Sequence, residues 1–336
     1  MTDMLSVAAI EALAGAALTA HGARPASAAA LSRAIAAAER DGLASHGLAY
    51  LPTYCEHLVC GKVVGDAEPS LHQAAPAVVV VDAGCGFAHP AIAMGLAALI
   101  PLARQQGIAT LAIRNSYNCG VLGYHTEQIA GAGLVGLGFT NAPASIAPWG
   151  AVTPVLGTNP WSLAVPTGAA ALVIDQSASV VAKSEVMKRA RRNEALPHGW
   201  ALDASGQPTT DPQAALTGTM MPSGGAKGVN AALLVEVLAA CLTGATPGVQ
   251  ASPFSGTVGG PPRTGQCFVA ISPDPPSGGA FAERIGTVAA AFAAQPGARL
   301  PGTRRLAARA RAERDGVAVD AELLQRVRAL AARGAP

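Results

Sequence analysis

The feature that most constrains the fold is a regular alternation of strand and helix patterns between residues 77 and 140. The strand patterns are short, apolar and rich in β-branched residues, whereas the helix patterns repeat their apolar residues every three or four positions. The patterns run in the order strand, helix, strand, helix, strand, over Ala77–Asp82, Ala91–Gln106, Ala109–Arg114, 123–132 and Leu134–Thr140. Strands that alternate with helices in this way predict an α/β fold.

The rest of the chain is less regular. Helices are predicted over 4–19, 26–41 and 46–60 before the alternating segment, and over 179–193 and 228–243 after it. Short strands are predicted between 140 and 180, a further strand over Phe268–Ile271, and two helices at the end of the chain. A loop is predicted over 197–226, and a second, Gly/Pro/Ser-rich and therefore mobile loop over 246–265. No GxGxxG motif opens a helix after the first strand, so an ordinary Rossmann nucleotide site is not predicted.

Composition excludes several classes of protein. Half of the 336 residues are hydrophobic and 13% are charged, which argues against disorder. The net charge is +2 with no basic block, so nucleic acid is not an expected partner. The longest apolar stretch, Pro90–Ala103, is too short to span a bilayer, and no membrane association is expected. The six cysteines form no CxxC pair and no zinc-type cluster with histidine, which predicts reduced thiols, no metal site and a cytoplasmic location.

Six short motifs follow one another along nearly the whole chain. They are Ser45-His46-Gly47 with Leu51-Pro52 and Tyr54; Arg114-Asn115-Ser116 with Gly120; Thr140-Asn141; Gly157-Thr158-Asn159-Pro160; Pro222-Ser223-Gly224-Gly225-Ala226-Lys227-Gly228; and Leu300-Pro301-Gly302-Thr303-Arg304-Arg305. In this order and spacing the chain resembles the malate/L-lactate dehydrogenase superfamily. Two further stretches, Val81-Asp82-Ala83 with Gly86-Phe87-Ala88 and Arg263-Thr264-Gly265-Gln266, resemble its Δ1-piperideine-2-carboxylate/Δ1-pyrroline-2-carboxylate (ketimine) reductases.

The resemblance implies a nicotinamide-binding α/β fold that is not Rossmann but of the L-sulfolactate dehydrogenase-like type. It implies an N-terminal helical region, 1–73, that carries the catalytic histidine and is joined by C-terminal helices in 272–336. Residues 74–271 would form the NAD(P)H-binding region. It further implies a homodimer with the active site near the subunit interface, and NADPH as the usual reductant, with NADH also possible.

His46 is the first catalytic candidate. Reduction of a C=N bond requires a hydride on carbon and a proton on nitrogen, and an imidazole titrates near neutral pH. By resemblance, Ser45 and Glu185 would orient and polarise His46, and a carboxylate beside the ring would raise its pKa. Ketimine reductases have aspartate where Glu185 aligns, whereas the hydroxyacid dehydrogenases tend to have lysine. The alternatives are a structural histidine, and a Glu185 that pairs only with basic residues on its own helix.

The resemblance assigns the remaining site residues to substrate and cofactor. Thr158 and Tyr50 would contact the substrate, although the motif around Thr158 is also typical of a turn. The cofactor would lie against four segments: Asn118, Cys119, Gly120, Val121 and Leu122; Asp175, Gln176 and Ser177; Ala226 and Lys227; and Arg299, Leu300, Pro301, Gly302, Thr303, Arg304 and Arg305. Lys227 and Arg304 could carry phosphate charge, with a solvated basic face as the alternative for the arginines.

Two positions depart from the family pattern. Asn118 stands where the superfamily commonly has histidine, and an amide cannot shuttle a proton. Tyr50 stands where many relatives have an arginine that binds the substrate carboxylate, and a phenol contributes no charge. Arg114 and Lys183 are candidate replacements. Three functions therefore stay open: a ketimine reductase, a 2-hydroxyacid dehydrogenase acting on a keto acid, and a catalytically silent dimer that binds nucleotide.

Overall fold

The computed structural model describes residues 2–168 and 170–333. The α-helices are α1 (Val7–Ala20), α2 (Pro25–Arg40), α3 (Leu51–Val59), α4 (Ala88–Gln106), α5 (Leu122–Gly131), α6 (Lys183–Arg192), α7 (Pro212–Thr217), α8 (Ala226–Glu236), α9 (Asp274–Ser277), α10 (Phe281–Ala293), α11 (Thr303–Asp315) and α12 (Ala321–Ala332). The strands are β1 (Thr2–Leu5), β2 (Ser70–Ala75), β3 (Val78–Asp82), β4 (Ile108–Ser116), β5 (Val135–Thr140), β6 (Trp161–Val165), β7 (Leu172–Gln176), β8 (Ala201–Leu202), β9 (Pro208–Thr209), β10 (Thr219–Met220), β11 (Thr264–Ile271) and β12 (Val317–Asp320).

A seven-stranded sheet forms the centre of the molecule, in the order β2-β3-β4-β11-β5-β6-β7. Only β3 and β4 are parallel, joined by α4 as the alternating pattern predicts, and every other neighbouring pair is antiparallel. A doubly wound Rossmann sheet is mostly parallel. The predicted non-Rossmann α/β fold is therefore confirmed.

The two faces of the sheet are covered by different helices. Leu111, Ile113 and Phe268 pack with α4 and α5 on one face and are fully buried. Each such side chain stabilises the fold by roughly 1.5–3 kcal/mol through removal of apolar surface from water. On the other face, Phe139 and Cys267 pack against α8 and its π-helical continuation, Val237–Cys241.

The two ends of the chain meet in a second core. β1 pairs with β12, and α1 packs on both α2 and α12. The prediction of a helix over 4–19 was wrong at its start, because Thr2–Leu5 is a strand whose partner lies more than 300 residues away. Within 2–168 and 170–333 no helix is both long and apolar enough to cross a membrane.

Three other predictions were wrong. The helix over 46–60 is two 3-10 turns, Ala44–His46 and Leu48–Tyr50, followed by α3, because the backbone of Gly47 between them is not helical. The loop over 197–226 contains α7 and a small sheet in the order β10-β8-β9. The C-terminal segment contains four helices, α9 to α12, where two were expected.

Candidate active site

The turn that carries His46 is held in place by a buried carboxylate on α2. Glu39, near the end of α2, accepts a hydrogen bond from the Leu48 backbone N–H at 2.7 Å. A Cβ on Gly47 would overlap this carboxylate, so only glycine fits there. The Ser45 hydroxyl lies 3.0 Å from His46 Nδ1. When Ser45 donates to Nδ1, the neutral imidazole carries its hydrogen on Nε2, the nitrogen available to a substrate.

Glu185 does not reach His46 within the chain. It forms ion pairs on its own helix with Lys188, at 3.5 Å, and Arg189, at 3.4 Å. No carboxylate in the described ranges lies within ion-pair distance of His46, and burial lowers the pKa of its imidazole. The expectation that a neighbouring carboxylate raises this pKa was wrong, because the acidic side chain is held by i,i+3 and i,i+4 partners.

Residues in or next to the four predicted cofactor segments lie along β7 and just beyond its end. The Gly123 backbone N–H, directly after the 118–122 segment, donates to Asp175 Oδ2 at 2.7 Å. A Cβ on Gly302 would lie 3.5 Å from the Val173 backbone. The Ser223 N–H donates to the Ala178 carbonyl at 2.7 Å, which fixes the glycine-rich motif beside the same strand end. Segments that are far apart in sequence thus border one region.

The residues in this region are suited to a nicotinamide nucleotide. Gly224 and Gly225 both have positive φ, +74° and +66°, directly before α8, a conformation that lets backbone N–H groups approach a phosphate. Lys227 and Arg304 are exposed, and neither has an ion-pair partner in the part of the chain that the structure describes. Arg305 is different, because it is buried between Asp41 and Glu127. Its predicted contact with the cofactor is therefore not supported.

A cluster of four charges holds Arg305. Arg309 Nη2 lies 2.8 Å from Asp41 Oδ2 and 3.0 Å from Glu127 Oε2. Arg305 approaches the same two carboxylates at 3.7 and 3.4 Å. Removal of one member of such a buried group leaves an uncompensated charge and typically costs about 3–5 kcal/mol. The cluster joins the end of α2, just before the His46 turn, to α11, just after Gly302.

The 253–256 loop, part of the 246–265 segment predicted to be mobile, is anchored by three side-chain hydrogen bonds. The Tyr50 hydroxyl donates to the Phe254 carbonyl at 3.0 Å and Lys62 Nζ to the Pro253 carbonyl at 2.6 Å. His57 Nε2 lies 3.0 Å from the Gly256 carbonyl. The glycine- and proline-rich composition gives no signal for these anchors, because all three come from the segment 50–62.

Tyr50 and Asn118, the two positions that depart from the family pattern, lie close together. Burial raises the pKa of Tyr50, whereas hydrogen bonds with Asn118 and Tyr117 and the positive charge of Arg191 oppose that rise. Asn118 Oδ1 also accepts from the Gly120 N–H at 2.7 Å, so it fixes the shape of the cofactor segment. Asn118 and Tyr50 therefore connect the His46 side of the site to its cofactor side.

The family described as malate/L-lactate dehydrogenase matches residues 5–328. The chain belongs to this family. A (2R)-3-sulfolactate dehydrogenase (NADP(+)) from Chromohalobacter salexigens is 47% identical over 310 residues, which cover 92% of each chain. A Δ1-pyrroline-2-carboxylate reductase from Ancylobacter novellus is 39% identical over 334 residues, 98% of each chain. The crystal structure of Δ1-piperideine-2-carboxylate reductase from Pseudomonas syringae pv. tomato superimposes with a TM-score of 0.92 at 36% identity and covers 98% of this chain and 100% of that one.

Membership of this family makes the chain an oxidoreductase, and the resemblance predicted from the motifs is confirmed. Thr158 lies beside the cofactor region, because its carbonyl accepts from the Ala178 N–H at 2.8 Å. The turn it belongs to is fixed by Asn159, whose side chain donates to Glu236 at 2.7 Å. The turn and contact interpretations of Thr158 are thus compatible.

Two buried carboxylates that shape the site were missed by the sequence reasoning. Glu39 supports the His46 turn, and Glu236 joins Asn159 to the Gly248 N–H, the latter at 2.6 Å. Both stand at buried positions of otherwise apolar helices. An acidic residue on the buried stripe of a helix is the signal that could have found them, since buried charges need partners.

Proposed function

We propose that this protein reduces the C=N bond of a small cyclic ketimine carboxylate, Δ1-pyrroline-2-carboxylate or Δ1-piperideine-2-carboxylate, to L-proline or L-pipecolate. The observation that carries the proposal is the Ser45–His46 pair, connected through Tyr50 and Asn118 to the region that the predicted cofactor segments border. Support comes from relatives of 37–40% identity that are named reductases of these imines. The crystal structure that superimposes with a TM-score of 0.92 is also named as a reductase of such an imine.

NADPH, when bound, supplies the hydride. His46 supplies the proton that the substrate nitrogen needs, and Ser45 holds the ring by Nδ1 so that Nε2 faces the reacting group. Because burial lowers the pKa of His46, the imidazolium is a stronger acid than a free one but is populated only at lower pH. Glu39 acts through the turn rather than on the substrate, since it fixes the backbone on either side of Gly47.

We propose NADPH as the preferred cofactor. Arg304 and Lys227 are cations that could face a 2′-phosphate, and an arginine fork suits that group. The sulfolactate dehydrogenase relative is named with NADP(+). A lower KM for NADPH than for NADH, reversed or abolished by Arg304→Ala, is the expected result.

A second candidate function is the reduction of a 2-oxo acid to a 2-hydroxy acid. The 47% identical relative is a sulfolactate dehydrogenase, which favours this chemistry. Glu185, the residue that favoured an imine on sequence grounds, is engaged with Lys188 and Arg189. Both reactions need the same hydride and the same proton donor, so they differ only in the substrate that the pocket accepts.

A substrate panel separates the candidates. Consumption of NADPH is followed with both cyclic imines, and with 2-oxo acids that include pyruvate, oxaloacetate and 3-sulfopyruvate. Turnover of an imine at least tenfold more efficient than that of any oxo acid is expected. Turnover of oxo acids alone would replace the first proposal by the second. Tight binding of NADPH with no turnover of either class would establish the silent nucleotide-binding protein instead.

We also propose a homodimer, as the family resemblance implies. Leu233, Leu234, Val237 and Leu242 lie along one side of α8 and its continuation and are 51%, 52%, 48% and 63% exposed. Contiguous apolar surface of this kind marks an interaction site. A stripe on one helix can pack against its own copy about a two-fold axis, which is the commonest symmetry of soluble oligomers.

A further inference from the structure

Glu236 is a buried carboxylate whose two oxygens are both occupied within the chain. Its Oε2 accepts a hydrogen bond from the Asn159 side chain at 2.7 Å, and its Oε1 accepts one from the Gly248 backbone N–H at 2.6 Å. The residue is 6% exposed and ends α8. Because this carboxylate is buried and bound on both oxygens, it would act on a reaction by placing other residues rather than by contact with the substrate.

Asn159 carries the effect of Glu236 to the turn that contains Thr158. Besides its bond to Glu236, the Asn159 amide donates to the Ala232 carbonyl at 2.9 Å, and its Oδ1 accepts from the Ala142 N–H at 3.1 Å. The Thr158 carbonyl accepts from a backbone N–H just beyond the end of β7, at 2.8 Å. The backbone of the turn is therefore held both at Thr158 and at the residue after it.

The hydroxyl of Thr158 is the free polar group of this turn. Thr158 is half-buried, and none of the residues 2–168 and 170–333 hydrogen-bonds its hydroxyl. A hydroxyl can donate one hydrogen bond and accept others. The turn thus offers an open donor and acceptor on a backbone that is firmly held, which suits the substrate contact expected for Thr158.

Gly248 carries the effect of Glu236 to the 253–256 loop. A Cβ on Gly248 would lie 2.6 Å from the Ala142 carbonyl oxygen, so the backbone packs there too closely for a side chain. Five residues further on, the 253–256 loop is bound by three side chains from the segment 50–62. One carboxylate therefore joins the Thr158 turn to the start of the chain segment that the Tyr50 side of the site holds at its other end.

We propose that Glu236 is a positioning residue. By accepting from Asn159 and Gly248 at once, it holds the Thr158 hydroxyl at a fixed place relative to the 253–256 loop and so sets how tightly the substrate is bound. This inference rests on the proposed function, because it takes Thr158 to contact the reacting molecule. A contact made equally before and during hydride transfer affects KM, so loss of Glu236 should raise KM much more than it lowers kcat.

The difference between a carboxylate and an amide provides the test. Both groups that face Glu236 are N–H donors. Glu236→Gln supplies one oxygen and one NH2 group, so in either orientation one of the two donors faces another donor. In the swapped pair, Asn159→Asp with Glu236→Gln, the new amide can donate to the new carboxylate and still accept from the Gly248 N–H. Glu313→Gln, an exposed position on α11, is the matched control.

Steady-state kinetics with NADPH are measured on the member of the substrate panel that wild type reduces best. Glu236→Gln is expected to raise KM roughly 10- to 100-fold, the range of one unpaired buried donor, and to lower kcat by less than about tenfold. The Kd for NADPH should stay within threefold of wild type. The swapped pair should recover most of the loss in KM, and Glu313→Gln should stay within twofold of wild type.

A double-mutant cycle shows whether Glu236 acts through Thr158. Thr158→Val removes the hydroxyl, so Glu236→Gln in that background has no such contact left to displace and should change KM by less than threefold. Should Glu236→Gln fail to fold, Asn159→Asp is assayed relative to wild type at each pH. Its KM should approach the wild-type value as pH falls, because the two facing carboxylates can then share a proton.

Three results would overturn the inference: a KM within twofold of wild type in folded Glu236→Gln, no recovery in the swapped pair, or an undiminished effect of Glu236→Gln in the Thr158→Val background. Wild-type protein that reduces oxo acids alone, with the expected responses in KM, would refute the proposed function and leave this inference standing. Wild-type protein that reduces no member of the panel would refute both.

Discussion

Replacement of Glu39 is the most direct perturbation of the His46 turn that avoids the reacting groups. Glu39→Ala removes the acceptor of the Leu48 N–H, which is buried. A buried donor without a partner costs about 1–3 kcal/mol. Loss of buried side-chain methylenes adds roughly 1–2 kcal/mol. The expected loss of folding free energy is therefore about 2–5 kcal/mol, a large fraction of the roughly 5–15 kcal/mol that stabilises most domains.

Glu39→Ala is also expected to lower kcat by more than its loss of folding free energy alone would explain. His46 is two residues from Leu48, and displacement of a catalytic group by about 1 Å can lower a rate on the order of a hundredfold. Glu39→Gln keeps an oxygen acceptor, so it should retain most of kcat and be at least as stable as wild type. Glu56→Ala, an exposed position on α3, is the control and should change the unfolding free energy by less than about 0.5 kcal/mol.

The pH dependence of stability gives a second readout. Burial raises the pKa of Glu39 above its ordinary value of 4.5, although the hydrogen bond from Leu48 opposes this. The folded state therefore binds this proton more tightly than the unfolded state does, so the carboxyl stabilises the fold fully below pH 4.5. That stabilisation is lost as pH rises through the folded-state pKa.

Urea unfolding followed by circular dichroism, from acidic to neutral pH, measures these effects. Glu39→Gln should match wild type in acid and become relatively more stable as pH rises. The reasoning is refuted if Glu39→Ala unfolds at the same urea concentration as wild type, or if Glu39→Gln is as inactive as Glu39→Ala.

Four further predictions concern the His46 ring, the anchor of the 253–256 loop and the apolar stripe on α8. His46→Asn should lower kcat by about 10²–10⁴-fold with NADPH affinity unchanged in a fluorescence titration, and unchanged turnover would assign the proton to another group. In wild type, activity that needs the imidazolium should fall as pH rises through a pKa below 6.5, and a pH–rate profile without this limb would contradict the role of His46. Tyr50→Phe should destabilise the fold by about 1 kcal/mol and expose the 253–256 loop to protease, while KM stays within twofold. A large rise in KM would show instead that the Tyr50 hydroxyl binds the substrate. Leu234→Glu should convert dimers to monomers in light scattering, and a wild-type protein that is already monomeric would refute the proposed dimer.

Local patterns predicted the part of the fold that local interactions determine. The β3–α4–β4 unit agrees with the sequence pattern to within a few residues, because apolar periodicity and glycine placement specify it within one short segment. β1 was missed because four residues carry little periodicity and its partner β12 lies at the other end of the chain. The anchors of the 253–256 loop were missed for the same reason, since they come from residues 50–62.

The candidate site was also predictable from the sequence only in part. Motif resemblance predicted four cofactor segments, and residues in or next to them lie along β7 and just beyond its end. The motifs did not reveal that Glu185 and Arg305 have ion-pair partners within the chain, because those partners belong to no motif. Glu39 was missed because its importance depends on the Leu48 N–H beside it in space, and it belongs to no recognisable motif.

The charge cluster around Arg309 has a mechanical consequence. Asp41 and Arg309 are 268 residues apart in sequence, yet they are joined by hydrogen bonds of 2.8 and 3.0 Å. These bonds link the end of α2, which precedes the His46 turn, to α11 near the C-terminal end of the chain. A truncated form that ends before residue 303 would keep every residue of the turn but leave Asp41 without Arg305 and Arg309, so support for the segment before His46 comes in part from the far end of the polypeptide.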